Sequence, residues 1–189
     1  MKNLMFIVLM VTAMSAPAHA LFEIRAGYGL YTPDSDLGTA SSLKTLQGFN
    51  IDALVEIPLV PVGLGLRYET MDFAVGQLSQ DFDSQFNRLS LIVNYRIIDF
   101  FFYLGGIATV GFANDAKIEG LPGGDAEFSN DLTYTVGAEG GVSLGLFQVG
   151  AELGYMLGGD YKSDNNNAYT GDPINFDSFY AKILVGVGF

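Results

Sequence analysis

The sequence contains no cysteine and no tryptophan, and its single histidine is His19. Without cysteine there is no disulfide, no thiolate nucleophile and no cysteine-ligated zinc. Basic residues are scarce too. Nine Lys and Arg stand against 21 Asp and Glu, a net charge of −12 over 189 residues. Nucleic-acid binding needs Lys and Arg on the phosphates, so that class is excluded. After residue 20 no stretch approaches the roughly 18 consecutive apolar residues of a membrane-spanning helix. Disorder is excluded from the other side, because 49% of the residues are hydrophobic and 13% aromatic. The length suits one domain.

What is present begins with an address. Lys2 precedes an apolar stretch from Leu4 to Met14, followed by Ser15-Ala16-Pro17-Ala18-His19-Ala20. A charged start, a short apolar segment and small residues at Ala18 and Ala20 form a secretory signal peptide, residues 1–20, with cleavage expected after Ala20. The stretch is too short to anchor in a bilayer. Removing it takes His19 away, which excludes imidazole-based catalysis and histidine-ligated metals from the exported chain.

From residue 21 onward the apolar residues alternate. Leu21–Tyr31 sets Phe22, Ile24, Ala26, Tyr28 and Leu30 against Glu23, Arg25, Gly27 and Gly29. The same period of two recurs in Gly48–Ile57, Gly63–Thr70, Asn87–Ile97, Phe101–Ala113, Asp131–Leu144, Phe147–Leu157 and Ser178–Phe189. This is strand periodicity. Eight such segments predict an all-β chain, an eight-stranded antiparallel up-and-down transmembrane β-barrel over residues 21–189. Connections alternate as well. Pro58–Val62, Ile98–Phe100 and Gly145-Leu146 are short, whereas Thr32–Gln47, Asp72–Phe86, Asn114–Asn130 and Gly158–Asp177 are expected to be long loops at one end.

Charge follows the same map. The polar face of the strands carries Glu23, Asp52, Glu56, Glu69, Glu139 and Glu152 with Arg25, Arg67, Arg88, Arg96 and Lys182. The apolar face carries none. A water-soluble barrel with its apolar face inward would also alternate. Its solvent face, however, would be studded with glycine that packs nothing. The apolar face also has an aromatic group at each end: Tyr28, Phe49, Tyr68, Phe112, Tyr134, Tyr155 and Phe179 by the long loops, and Phe22, Tyr95, Phe102, Phe147 and Phe189 by the short turns. Paired aromatic girdles are the mark of a wall facing lipid.

With these features the chain resembles the small eight-stranded outer-membrane barrels of Gram-negative bacteria, the OmpA/OmpX-like group. The sharpest element is the last strand, where Phe179, Ala181, Ile183, Val185 and Val187 lead to Phe189. The resemblance implies that Phe179, Ile183, Val185, Val187 and Phe189 form the signal read by the barrel-assembly machinery. It also implies outer-membrane lipid as surroundings and export through the Sec pathway. Family members that act on lipid A or cleave peptides depend on histidine, so no enzyme is expected here.

The eleven inward charges are expected to pair, because an eight-stranded barrel is filled by its own side chains and a buried unpaired charge is costly. A structural or surface-interaction protein is the expected function, with a small-solute or ion channel as the alternative and no cofactor. Asp52 with Glu69 offers a carboxylate pair for acid–base chemistry, but packing against Arg is the commoner use. The long connections and their ends hold fourteen acids and three bases, Lys44, Lys117 and Lys162. Asp34 and Asp36, Asp81 and Asp83, and Asp160, Asp164 and Asp172 offer oxygens to divalent cations or to a basic external ligand. Solvation of an exposed face explains the same acids.

Overall fold

The computed structural model describes residues 21–33, 46–57, 60–73, 84–120, 124–130, 132–163 and 174–189. The expected export signal, residues 1–20, lies outside them. Among the described residues are eleven strands and no helix: β1 (Phe22–Pro33), β2 (Leu46–Glu56), β3 (Val62–Asp72), β4 (Ser84–Asp99), β5 (Phe102–Ile118), β6 (Ala126–Asn130), β7 (Thr133–Leu144), β8 (Phe147–Leu157), β9 (Asp160–Ser163), β10 (Ile174–Asn175) and β11 (Ser178–Gly188). Eight of these close on themselves in the ring β1-β2-β3-β4-β5-β7-β8-β11, with every neighbour antiparallel. The seam is β1 against β11, where the N–H of Phe189 donates to the carbonyl of Phe22 at 2.8 Å. Closure leaves the ring no edge.

Exposure alternates with the sequence period. In β1 every second residue is buried, and the buried set is Glu23, Arg25, Gly27, Gly29 and Tyr31. Phe22, Ile24, Tyr28 and Leu30 are exposed instead. The ring is thus inside out relative to a water-soluble fold: its apolar face is the outer wall, and the charges occupy the lumen. Short turns follow local chemistry. Leu144 pairs with Phe147, so Gly145 and Leu146 make a two-residue hairpin, and Gly145 supplies the positive φ (67°) such turns require.

The long-connection end departs from expectation. Segments assigned to the loops Asn114–Asn130 and Gly158–Asp177 contain strands. β5 runs on to Ile118 and pairs with β6, which pairs with β9, which pairs with β10. The reason is that alternation persists beyond the wall, with Ala116, Ile118, Ala126, Phe128 and Tyr161 buried on one side. β1 likewise reaches Pro33, and β2 and β4 begin at Leu46 and Ser84. These extensions enclose an apolar cluster of Tyr31, Leu46, Met71, Phe73, Phe86, Phe128, Tyr161, Ile174, Phe176 and their neighbours. Phe176, just past β10, stacks on Phe86 of β4 at 4.7 Å and meets Phe73 edge-on at 5.3 Å. β10 and Phe176 therefore pack against the mouth of the ring.

Candidate functional site

Alternation brings all eleven charged residues of the polar strand face into the lumen. Arg67 on β3 is fully buried. Its Nε and Nη2 donate to Oδ1 and Oδ2 of Asp52, each at 2.8 Å. The same guanidinium donates to both oxygens of Glu152, Nη1 at 2.9 Å and Nη2 at 2.7 Å. Asp52 lies on the adjacent strand β2, directly opposite Arg67 in register. Glu152 lies on β8, four places away around a ring of eight, the largest separation the ring allows. One guanidinium thus bridges the whole lumen with two forked contacts, the strongest geometry for such pairs.

The other bases extend the lattice toward both ends. Arg25 donates to Asp52 Oδ2 at 3.1 Å and to Glu139 Oε2 at 2.6 Å. At the short-turn end Arg96 binds Glu23 and Glu56, each at 2.8 Å, and approaches Glu139 at 3.3 Å. Its guanidinium also covers the ring of Tyr103 at 4.6 Å. Toward the long connections Arg88 donates to Glu69 at 2.8 Å and to the hydroxyls of Thr133 and Thr109. Lys182 stands opposite Glu152 in the β8–β11 ladder and reaches past it. Its Nζ donates to Glu69 Oε1 at 2.5 Å and is 3.8 Å from Glu152. A four-carbon side chain can cross a narrow lumen, and Glu69 is the carboxylate that also accepts from Tyr31 at 2.8 Å.

Charge-based reading missed the neutral members. Asn50 donates to Asp52, Asn94 to Glu139, and Thr109 shares a hydrogen bond with Thr135. All were legible as inward positions, but only charge singled residues out. Two tyrosines occupy slots that glycine leaves open. A Cβ on Gly141 or Gly150 would strike the hydroxyl of Tyr103, and one on Gly137 or Gly154 would strike that of Tyr180. Gly141 pairs with Gly150, and Gly137 with Gly154, across the β7–β8 ladder. Asp52 and Glu69 do not form a carboxylate pair, since each is bound to different bases.

Outside the wall Asp125 and Asp160 are exposed. Asp160 accepts from Asn175 at 3.0 Å, and Asp125 accepts from the Gly120 N–H at 3.2 Å and pairs with Lys117. The Gly120 N–H, then Lys117, hold the Asp125 carboxyl below its ordinary pKa. Asp34, Asp36, Asp81, Asp83, Asp164 and Asp172 lie outside the described residues, as does Lys44. Among the described residues no cluster of acids has the arrangement of a metal site.

The lumen thus holds charge toward both ends of the ring, with Thr109 and Thr133 against Arg88, an aliphatic group of Leu54, Ile92 and Ile107, and an aromatic–aliphatic cluster at the far mouth.

No protein-family model matches the chain, and no curated protein matches it. Solved structures do. Neisserial surface protein A (NspA) is similar with a TM-score of 0.65 at 16% identity, over 91% of this chain and 99% of that one. The outer membrane protein OprG from Pseudomonas aeruginosa gives 0.60 at 15% identity, over 90% and 97%. A major outer membrane protein from Thermus thermophilus gives 0.58 at 14% identity, over 89% and 98%. The fold is that of small outer-membrane barrels.

Proposed function

We propose that the chain is an integral outer-membrane barrel, exported through the Sec pathway, that acts as a structural or surface-interaction protein with a closed lumen and no catalytic role. The observation that carries this reading is Arg67. It is wholly buried and held by two carboxylates from opposite sides of the ring. An aqueous channel would leave such a side chain hydrated and free to move. The apolar cluster at the mouth supports the same conclusion from the other end. Interaction is then left to the external connections, whose excess of acids suits divalent cations or a basic ligand. Phe179, Ile183, Val185, Val187 and Phe189 present an unbroken outward row that suits recognition by the assembly machinery.

Planar-bilayer recording tests the closed lumen against the rival, a small-solute or ion channel. The expected result is no steady conductance from the wild-type chain. A stable open level would overturn the closed-lumen reading.

A further inference from the structure

Two turns at the short-turn end of the ring present large apolar side chains. The β4–β5 turn presents Ile97, Phe100 and Phe101, exposed by 72%, 45% and 70%, and the β7–β8 turn presents Leu144 and Leu146. The two turns are neighbours, since the Ser143 N–H donates to the Phe101 carbonyl at 2.9 Å. The one charge in these turns, Asp99, leans inward to within 3.6 Å of the Arg96 guanidinium. A register shift between Arg96 and Ile98 leaves Ile97 unpaired and turned outward. In water this surface would be an exposed apolar patch with no rim of charge.

Wall height points to what covers it. On β1 the outward apolar row runs from Phe22 to Leu30, and along β2 from Phe49 to Ile57 just past its end. Along β7 it runs from Leu132, just before the strand, to Leu144. At about 3.3 Å per residue and a tilt near 40°, these rows stand about 20 Å and about 30 Å tall, against a usual belt of about 25 Å. On β5 and β8 the rows run from Phe102 to Phe112 and from Phe147 to Leu157, so the β7 row reaches beyond those of its neighbours, and it ends at Leu144 in the turn.

We propose that the β4–β5 and β7–β8 turns are inserted into the hydrocarbon of the inner leaflet. The apolar wall continues into both turns without a polar break, which makes lipid the occupant. This inference rests on the outer-membrane reading above.

The absence of tryptophan supplies the test. Phe101→Trp, Leu146→Trp and, in the middle of the wall, Ile183→Trp each introduce a single fluorophore in place of a large apolar side chain. Phe100→Trp is a second reporter in the β4–β5 turn. The full chain is folded into dilauroylphosphatidylcholine vesicles doped with brominated phosphatidylcholine, and heat-modifiable gel mobility selects the folded variants. The turn reporters should lose most of their emission to the brominated lipid, as Ile183→Trp does, and resist acrylamide. Acrylamide quenching at the turns with lipid quenching at Ile183→Trp would overturn the insertion alone. Shielding of the turns from both quenchers would mean cover by protein and would also overturn it. Acrylamide quenching at Ile183→Trp itself would overturn the outer-membrane reading beneath it.

Discussion

Arg67 shows how a single side chain can hold a ring shut. Its two forked contacts belong to β2 and β8, so truncation leaves two carboxylates short of a base in a desolvated lumen. Breaking a buried pair of this kind costs about 3–5 kcal/mol. Arg67→Ala and Glu152→Ala are each expected to destabilise the folded state by a few kcal/mol at most, measured by equilibrium unfolding in vesicles. The double substitution should lose less than the sum, because both remove the same contact. Arg67→Lys should recover little, since an ammonium cannot fork to two carboxylates. Size governs the glycine slots. Gly150→Ala is expected to cost about 1–3 kcal/mol by driving Tyr103 out of its place. Tyr103→Phe in the same chain should recover part of that loss, and all of the loss persisting would argue that the backbone of Gly140 is the obstacle.

Among the elements, the extension of β5 into β6 carries the connection with the best-defined contacts. Its turn is tied by Asp125, whose carboxylate accepts from the Gly120 N–H and faces Lys117. Because the folded carboxyl has a lowered pKa, the ionised form is favoured by the folded turn. The stabilisation is fully present above the ordinary Asp value and is lost as pH falls through the lowered one. Amide exchange at Gly120 should therefore accelerate only on acidification below the usual Asp range, and Asp125→Asn should weaken that dependence. Phe176→Ala is expected to loosen the apolar cluster at the mouth locally. A core Phe truncation costs about 3–5 kcal/mol, here read as faster proteolysis beyond the wall while the ring keeps its gel mobility. The wall itself was legible residue by residue, since lipid outside and charge inside impose opposite chemistry on successive side chains. β6, β9 and β10 were not. They are short, and their signal is a few apolar positions, such as Ala126 with Phe128, set among Asp, Asn and Gly that also write turns. Lys182 marks another limit. Register gives its neighbour Glu152, but the choice of Glu69 depends on the lumen width and on Tyr31 beside that carboxylate.

For the whole molecule, the seam between β1 and β11 decides whether there is a ring at all. Phe22 and Phe189 exchange backbone hydrogen bonds there, and their rings stack at 6.3 Å. Phe189→Ala is expected to lower the yield of folded, membrane-inserted protein in cells, measured by heat-modifiable mobility in outer-membrane fractions. Unchanged yield would remove the assembly role proposed for this residue. If spontaneous folding into vesicles is less affected than assembly in cells, recognition by the machinery is the larger part of the effect.

The seam also sets an order in time. Its partners stand at opposite ends of the described chain, as in Glu23 with Gly188, so joining them closes the longest loop the fold contains. Arg25 on β1 needs Glu139 on β7, and Arg67 on β3 needs Glu152 on β8. None of these pairs can form while the strands are still an open ribbon. A half-built barrel would therefore hold only pairs between neighbouring strands, such as Arg67 with Asp52, and the contacts across the lumen would form together in a late event.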